Sequence, residues 1–203
     1  MRSDSIVFAI AGVLFGVIVG WVLGSQQARS GRVATAAPPA QSQPASQTAQ
    51  GSRAVPVDPE RAKALESVAQ QNPKDVKPRV QLGNLYFDAE QYPQAIDWYE
   101  QAFALNNRDA NVSTDLGVAY YYTNQPDRAI KQFEHSLSID PKHVKTLLNM
   151  GIVRAFGKQD LEGAAKAWEE VVAIAPNSQE GQAAKKGLEG LRNAHAPGTT
   201  GAQ

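Results

Sequence analysis

"LGVAYYYTNQPDRAIKQFEHSLSIDP", residues 116–141, sets three tyrosines behind a Leu-Gly pair, breaks at Asn-Gln-Pro and resumes an apolar pattern that stops at Asp-Pro. The pattern is not unique. "LGNLYFDAEQYPQAIDWYEQAFALNN" begins 34 residues earlier, at Leu82, and puts Tyr86 on Tyr120, Ala95 on Ala129 and Tyr99 on Phe133. "MGIVRAFGKQDLEGAAKAWEEVVAIAP" begins 34 residues later, at Met150, and with one extra residue in its turn aligns Ala164, Trp168 and Pro176 with Ala129, Phe133 and Pro141. A fixed period of this kind specifies an array of supersecondary units, so it governs the architecture of everything it spans.

Within each copy the apolar residues recur at helical spacing, at 82, 85, 86 and then 95, 96, 99, 102, 103 in the first. Each copy therefore reads as two short amphipathic helices. Small residues at 83, 117, 151 and at 95, 129, 164 let the paired helices approach, and the Leu, Tyr, Phe and Trp residues fill the layer between them. Pro93 and Pro126 fall in the first turn of the second helix, where a missing N–H costs little, and Pro141 and Pro176 follow its end. By this phase Tyr120 packs between helices while Tyr121 and Tyr122 lie on another face.

The pattern resembles the tetratricopeptide repeat family, through Leu116, Gly117, Tyr120, Ala129, Phe133 and Pro141 in the middle copy. The flanking copies depart from it at Asn107, Met150 and Arg154, and none carries the family's early Trp. The resemblance implies an all-α fold, a right-handed α-solenoid of three helix pairs with flanking capping helices. It further implies a concave groove lined by the first helix of each pair. The positions so assigned are Lys77, Val80, Asn84, Phe87 and Asp88; Asn111, Thr114, Val118, Tyr121 and Tyr122; and Lys145, Leu148, Ile152, Ala155 and Phe156. Phe87, Tyr121, Tyr122 and Phe156 would make that groove aromatic, and Asn84 with the tyrosine hydroxyls would bond a peptide backbone. One subset of the family grips a C-terminal carboxylate. Of its positions, held here by Val80, Asn84, Asp115, Lys145 and Asn149, only Asn84 and Lys145 match, and Asp115 would repel the ligand.

Outside the repeats the chain changes character. Residues 6–23, "IVFAIAGVLFGVIVGWVL", carry no charge and as a helix would be about 27 Å long, close to a bilayer's hydrocarbon core. This predicts a transmembrane helix over 6–24, behind a tail of residues 1–5. It is longer than the apolar region of a cleaved signal peptide. Gly12, Gly16, Gly20 and Gly24 form a stripe on which a second helix can pack, an expected route to a homo-oligomer. Residues 25–57, rich in Ala, Gln, Ser and Pro, read as a disordered linker. The repeat domain follows over 58–194: a half-repeat helix at 58–73, repeats at 76–109, 110–143 and 144–178, and a capping helix at 178–194, with a disordered tail at 195–203.

Chemistry is sparse. The 203-residue chain has no cysteine, and its three histidines, His135, His143 and His195, lack metal-ligand spacing. No phosphate loop, nucleophile elbow or carboxylate pair in a cleft is visible, so the expectation is a non-enzyme with no metal and no cofactor. Residues 1–57 hold four Arg and one acid, and residues 58–203 hold sixteen basic and nineteen acidic residues. A mildly acidic domain of mixed charge does not offer the basic face that nucleic acid requires. The expected function is a membrane-tethered adaptor that holds a peptide or protein partner in its groove, in the manner of an envelope assembly factor. A self-assembling structural protein without a distinct client is the alternative. Lys/Arg counts around the span are nearly balanced and lean toward a cytoplasmic domain; against that, the long Ala/Pro/Gln tether points to an extracytoplasmic repeat domain, which is the expectation.

Overall fold

Aspartates start three of the helices. Asp58 accepts from the Glu60 and Arg61 amides, Asp109 from those of Asn111 and Val112, and Asp160 from that of Gly163, each satisfying N–H groups that a helix start leaves without a partner. The structure, a computed structural model, describes residues 55–195. The expected span at 6–24 with Gly12, Gly16, Gly20 and Gly24, the linker up to residue 54 and the tail after 195 lie outside the described residues. Among the described residues are eight α-helices and no strand: α1 (Pro59–Gln71), α2 (Lys77–Asp88), α3 (Tyr92–Leu105), α4 (Ala110–Tyr122), α5 (Pro126–Ile139), α6 (Val144–Ile152), α7 (Leu161–Ile174) and α8 (Gln179–His195). None of these is long and apolar enough to cross a membrane.

The helices pack in chain order, each on the next, with α2/α3, α4/α5 and α6/α7 as the three pairs. One contact recurs in all of them. A β-carbon on Gly83 would lie 2.4 Å from the Tyr99 ring, on Gly117 2.5 Å from that of Phe133, and on Gly151 2.2 Å from Trp168. Each first helix thus offers a bare backbone on which one aromatic of its partner lies, and those three aromatics are essentially removed from water. Such burial stabilises by roughly 1.5–3 kcal/mol per side chain. In the third pair the Trp168 indole N–H also donates to the Leu148 carbonyl at 3.1 Å. Leu82, Ala95 and Ala129, likewise buried, complete the small-and-large packing.

The turns between paired helices share one conformation. Glu90, Asn124 and Gln159 occupy equivalent positions and all adopt left-handed φ, 58°, 58° and 56°. Their following residues close the turn: the Gln91 amide donates to Tyr86 and the Gln125 amide to Tyr120, both at 2.9 Å. In the third repeat the matching bond runs from Asp160 to Arg154 at 2.8 Å, one residue further along. The extra residue is absorbed by a π-helical turn at Val153–Gly157 that continues α6, its Lys158 amide reaching Val153. Local widening of the helix thus lets α7 resume the common geometry.

At the ends, α1 buries Ala62 and Ala69 against the array, and α8 buries Ala183, Ala184 and Leu191. The outer side of α8 is polar, with Gln182, Lys185, Lys186, Glu189 and Arg192 exposed. Polar outer helices of this kind close an open-ended stack.

Candidate functional site

The face made by α2, α4 and α6 holds the residues that sequence reasoning assigned to a groove, and side chains tie it together across repeats. Lys145 of α6 reaches Asp115 of α4 at 2.6 Å, both about three-quarters buried. Tyr99, fully buried, donates its hydroxyl to the Asn84 carbonyl oxygen at 2.7 Å, orienting that amide. Burial raises the carboxyl pKa of Asp88; the Arg61 guanidinium opposes the shift and Asp115 adds to it. Lys77 and Asn111 are exposed, whereas Asn84, Phe87, Tyr121, Tyr122, Lys145, Leu148 and Phe156 are half-buried.

Four assigned residues are not on an open surface. Thr114, Val118 and Ile152 are buried, at 0, 9 and 5 % exposure, as is Ala155. The reason lies in the position of their helices. α4 is flanked on both sides and has eight buried residues, and Ile152 shares a cluster with Ala184 and Leu191 of the capping α8.

Thr114 belongs instead to a polar cluster that apolar periodicity does not reveal. Its hydroxyl lies 2.6 Å from that of Thr146 and 3.0 Å from that of Ser136, and all three residues are fully buried. The Ala110 carbonyl oxygen lies 2.7 Å from the Thr114 hydroxyl and 2.9 Å from that of Ser136, and Ser136 is 2.8 Å from Thr146, so three hydroxyl protons are shared among these contacts. His143 closes the cluster, its Nδ1 2.6 Å from the Thr146 hydroxyl and its Nε2 3.2 Å from the Asn111 side-chain oxygen. A neutral imidazole that donates from Nε2 and accepts at Nδ1 satisfies both bonds. Burial lowers its pKa.

Tyr120 is buried as expected, with its rim held by charge. Its hydroxyl donates to Glu100 at 2.6 Å, and the Arg128 guanidinium lies 3.9 Å over its ring while donating to the same hydroxyl. Burial first, and the Glu100 bond second, push this phenol above its ordinary range. Tyr121 and Tyr122 are not simply laid open: both pack against the first apolar cluster, and Tyr121 also contacts the second. Tyr122 stacks on Tyr92 of α3, a residue the groove assignment missed because it sits on a second helix.

Residues 76–142 match the family model described as tetratricopeptide repeat. The chain carries tetratricopeptide repeats. Solved structures agree on the fold of these tetratricopeptide repeats. MamA is 18% identical, with 66% of this chain and 88% of that one aligned at a TM-score of 0.55. The Arabidopsis OM64 TPR domain is 21% identical, covering 66% and 98%, with a TM-score of 0.53. The first TPR of Spaghetti (RPAP3), bound to the HSP90 peptide SRMEEVD, is 25% identical, covering 70% and 98%, with a TM-score of 0.52. A comparison with curated proteins finds no match. Among the described residues, no group of three or more His, Cys, Asp or Glu side chains is placed to hold a metal ion.

Proposed function

We propose that this chain is a membrane-tethered adaptor whose repeat face binds a peptide or protein partner, with no catalysis of its own. The observation that carries the reading is the half-buried aromatic set Phe87, Tyr121 and Tyr122, on the same helices as Asn84 and as Asp115 of the internally neutralised ion pair. Aromatics that are packed below and wet above supply contact area at low entropic cost, as recognition surfaces require. Two similar structures, both of RPAP3 domains, hold the HSP90 peptide SRMEEVD and the HSP70 peptide SGPTIEEVD. This chain suits a different peptide, because Asp115 already occupies Lys145 and an acidic terminus would have to displace it.

The apolar segment 6–24 anchors the chain, the segment 25–57 gives reach, and the repeat domain stands on the extracytoplasmic side, in the role of an envelope complex assembly factor. Support for the anchor is its uncharged length. The test is affinity capture with the full chain in detergent, comparing wild type with Phe87→Ala and Tyr121→Ala. A partner held by wild type and lost with either substitution supports the adaptor. Self-association alone, insensitive to both, favours the self-assembling structural protein. Protease added to intact spheroplasts should digest the repeat domain, and its protection would place the domain in the cytoplasm.

A further inference from the structure

Rings from three helices meet at the edge where the first two repeats turn. Tyr92 of α3 lies parallel to Tyr122 of α4, centroids 4.5 Å apart and planes 9° apart. Phe87 of α2 meets both edge-on, at 5.3 Å and 72° to Tyr92 and 5.9 Å and 69° to Tyr122. All three are half-buried, so the shelf they form is packed from below and presents ring surface to solvent.

Two residues before Tyr92 stands Glu90, exposed and in the left-handed conformation of the turn. The equivalent positions of the other repeats hold neutral Asn124 and Gln159. Asparagine tolerates this backbone well; glutamate gains nothing locally from it. Its charge is felt by the shelf: after burial, Glu90 is the charged group that raises the Tyr92 hydroxyl, to about 12, and it acts on Tyr122 as well. One rim of the shelf is therefore anionic while the ring faces are electron-rich.

We propose that this shelf docks an extended partner segment through a lysine or arginine side chain laid over the Tyr92–Tyr122 stack, with its charge facing Glu90. The inference deepens the adaptor reading and rests on it, since Phe87 and Tyr122 belong to both. A cation is attracted to a tyrosine face, and arginine adds a planar fork that stacks on the ring while donating to a carboxylate. The partner's neighbouring apolar side chains then cover Phe87 and Tyr121. An acidic residue at the same place meets repulsion from Glu90, so the shelf selects partners by charge.

The experiment uses the full chain in detergent and a short end-blocked Ala/Pro/Leu peptide with Arg, Ala or Glu at its centre. Fluorescence anisotropy should give binding of the Arg peptide at least about tenfold tighter than the Ala peptide, with the Glu peptide weakest. Glu90→Gln should bring the Arg peptide down to the Ala level, and Tyr92→Ala should weaken all three. Equal binding of Arg and Ala peptides, or indifference to Glu90→Gln, overturns the inference; if Phe87→Ala still abolishes that binding, the adaptor reading survives. No binding of any peptide, with partner capture indifferent to Phe87→Ala, overturns both. A photocrosslinker in place of Tyr92 that joins mainly to residues 1–54 of its own chain overturns the partner as occupant.

Discussion

Gly117 lies directly beneath the Phe133 ring, so close that a β-carbon there would stand 2.5 Å from it and 3.2 Å from the Ala129 carbonyl oxygen. Phe133 is fully buried and has no room to withdraw. Gly117→Ala should therefore destabilise the repeat domain by about 1–3 kcal/mol, and Gly117→Leu by more, despite the helix propensity either residue gains. Thermal melting of the two variants checks this. A midpoint equal to that of wild type would refute the packing.

Tyr120 separates packing from charge. Truncation to Ala removes a buried ring and should cost about 3–5 kcal/mol. Tyr120→Phe keeps the ring and loses only the hydroxyl bonds to Glu100 and Arg128, both about half exposed and able to turn to water. Its cost should stay near 0.5–1.5 kcal/mol. Urea titrations of the two variants should differ accordingly; similar midpoints would mean that the hydroxyl network carries the stability.

Tyr121 and Tyr122 should affect both stability and binding. Because both rings pack on neighbouring repeats, replacing the pair by Ala should lower the melting temperature noticeably and weaken partner binding by about 2 kcal/mol or more. Loss of binding larger than the loss of folded protein at the assay temperature is the expected signature.

His143 should make the array acid-sensitive. Burial lowers its pKa from the ordinary 6.5 and Lys145 lowers it further, while Asp140, Asp115 and Asp109 oppose the shift. It also stands at the N-terminus of α6, where positive charge is disfavoured. The folded chain thus binds this proton less tightly than the unfolded chain. Its contribution is complete above the unfolded pKa and is lost as pH falls through that value toward the lower folded one. Melting temperature followed from about pH 8 to about pH 5 should fall more steeply for wild type than for His143→Gln. Parallel curves would assign the acid sensitivity elsewhere.

Glu90→Gly should uncouple stability from recognition. Relief of the left-handed backbone, less the unfolded-state entropy that glycine adds, should leave stability unchanged or raise it by about 1 kcal/mol. Binding of a cationic partner segment should fall. A variant that binds normally would show the carboxylate to be incidental.

The helix pairs, their glycine-on-aromatic contacts and the buried Tyr120 were legible in the sequence, because a period of 34 with fixed small and large positions leaves one packing solution. The exposure of individual groove residues was not. Val118 occupies the same repeat position as the half-buried Asn84, yet it is buried because neighbours close both flanks of α4. Tyr92 escaped notice because ring stacking across repeats depends on the turn, not on helical phase. The cluster of Thr114, Ser136 and Thr146 was hidden for a related reason: hydroxyls at scattered positions carry no periodic signal until the fold brings them together.

That hydroxyl cluster gives the array a seam. The apolar interior divides beside it into one block running from Ala95 to Val153 and another from Leu147 to Leu191, bridged by Tyr121 and Leu137. Directional bonds at the joint hold the two blocks in one orientation, whereas greasy contacts alone would let them slide. They also open as a set once one of them breaks. Because α6 contributes to both blocks, the part that can open first is α7 with α8, whose amides should exchange with solvent sooner than those of α2 to α5.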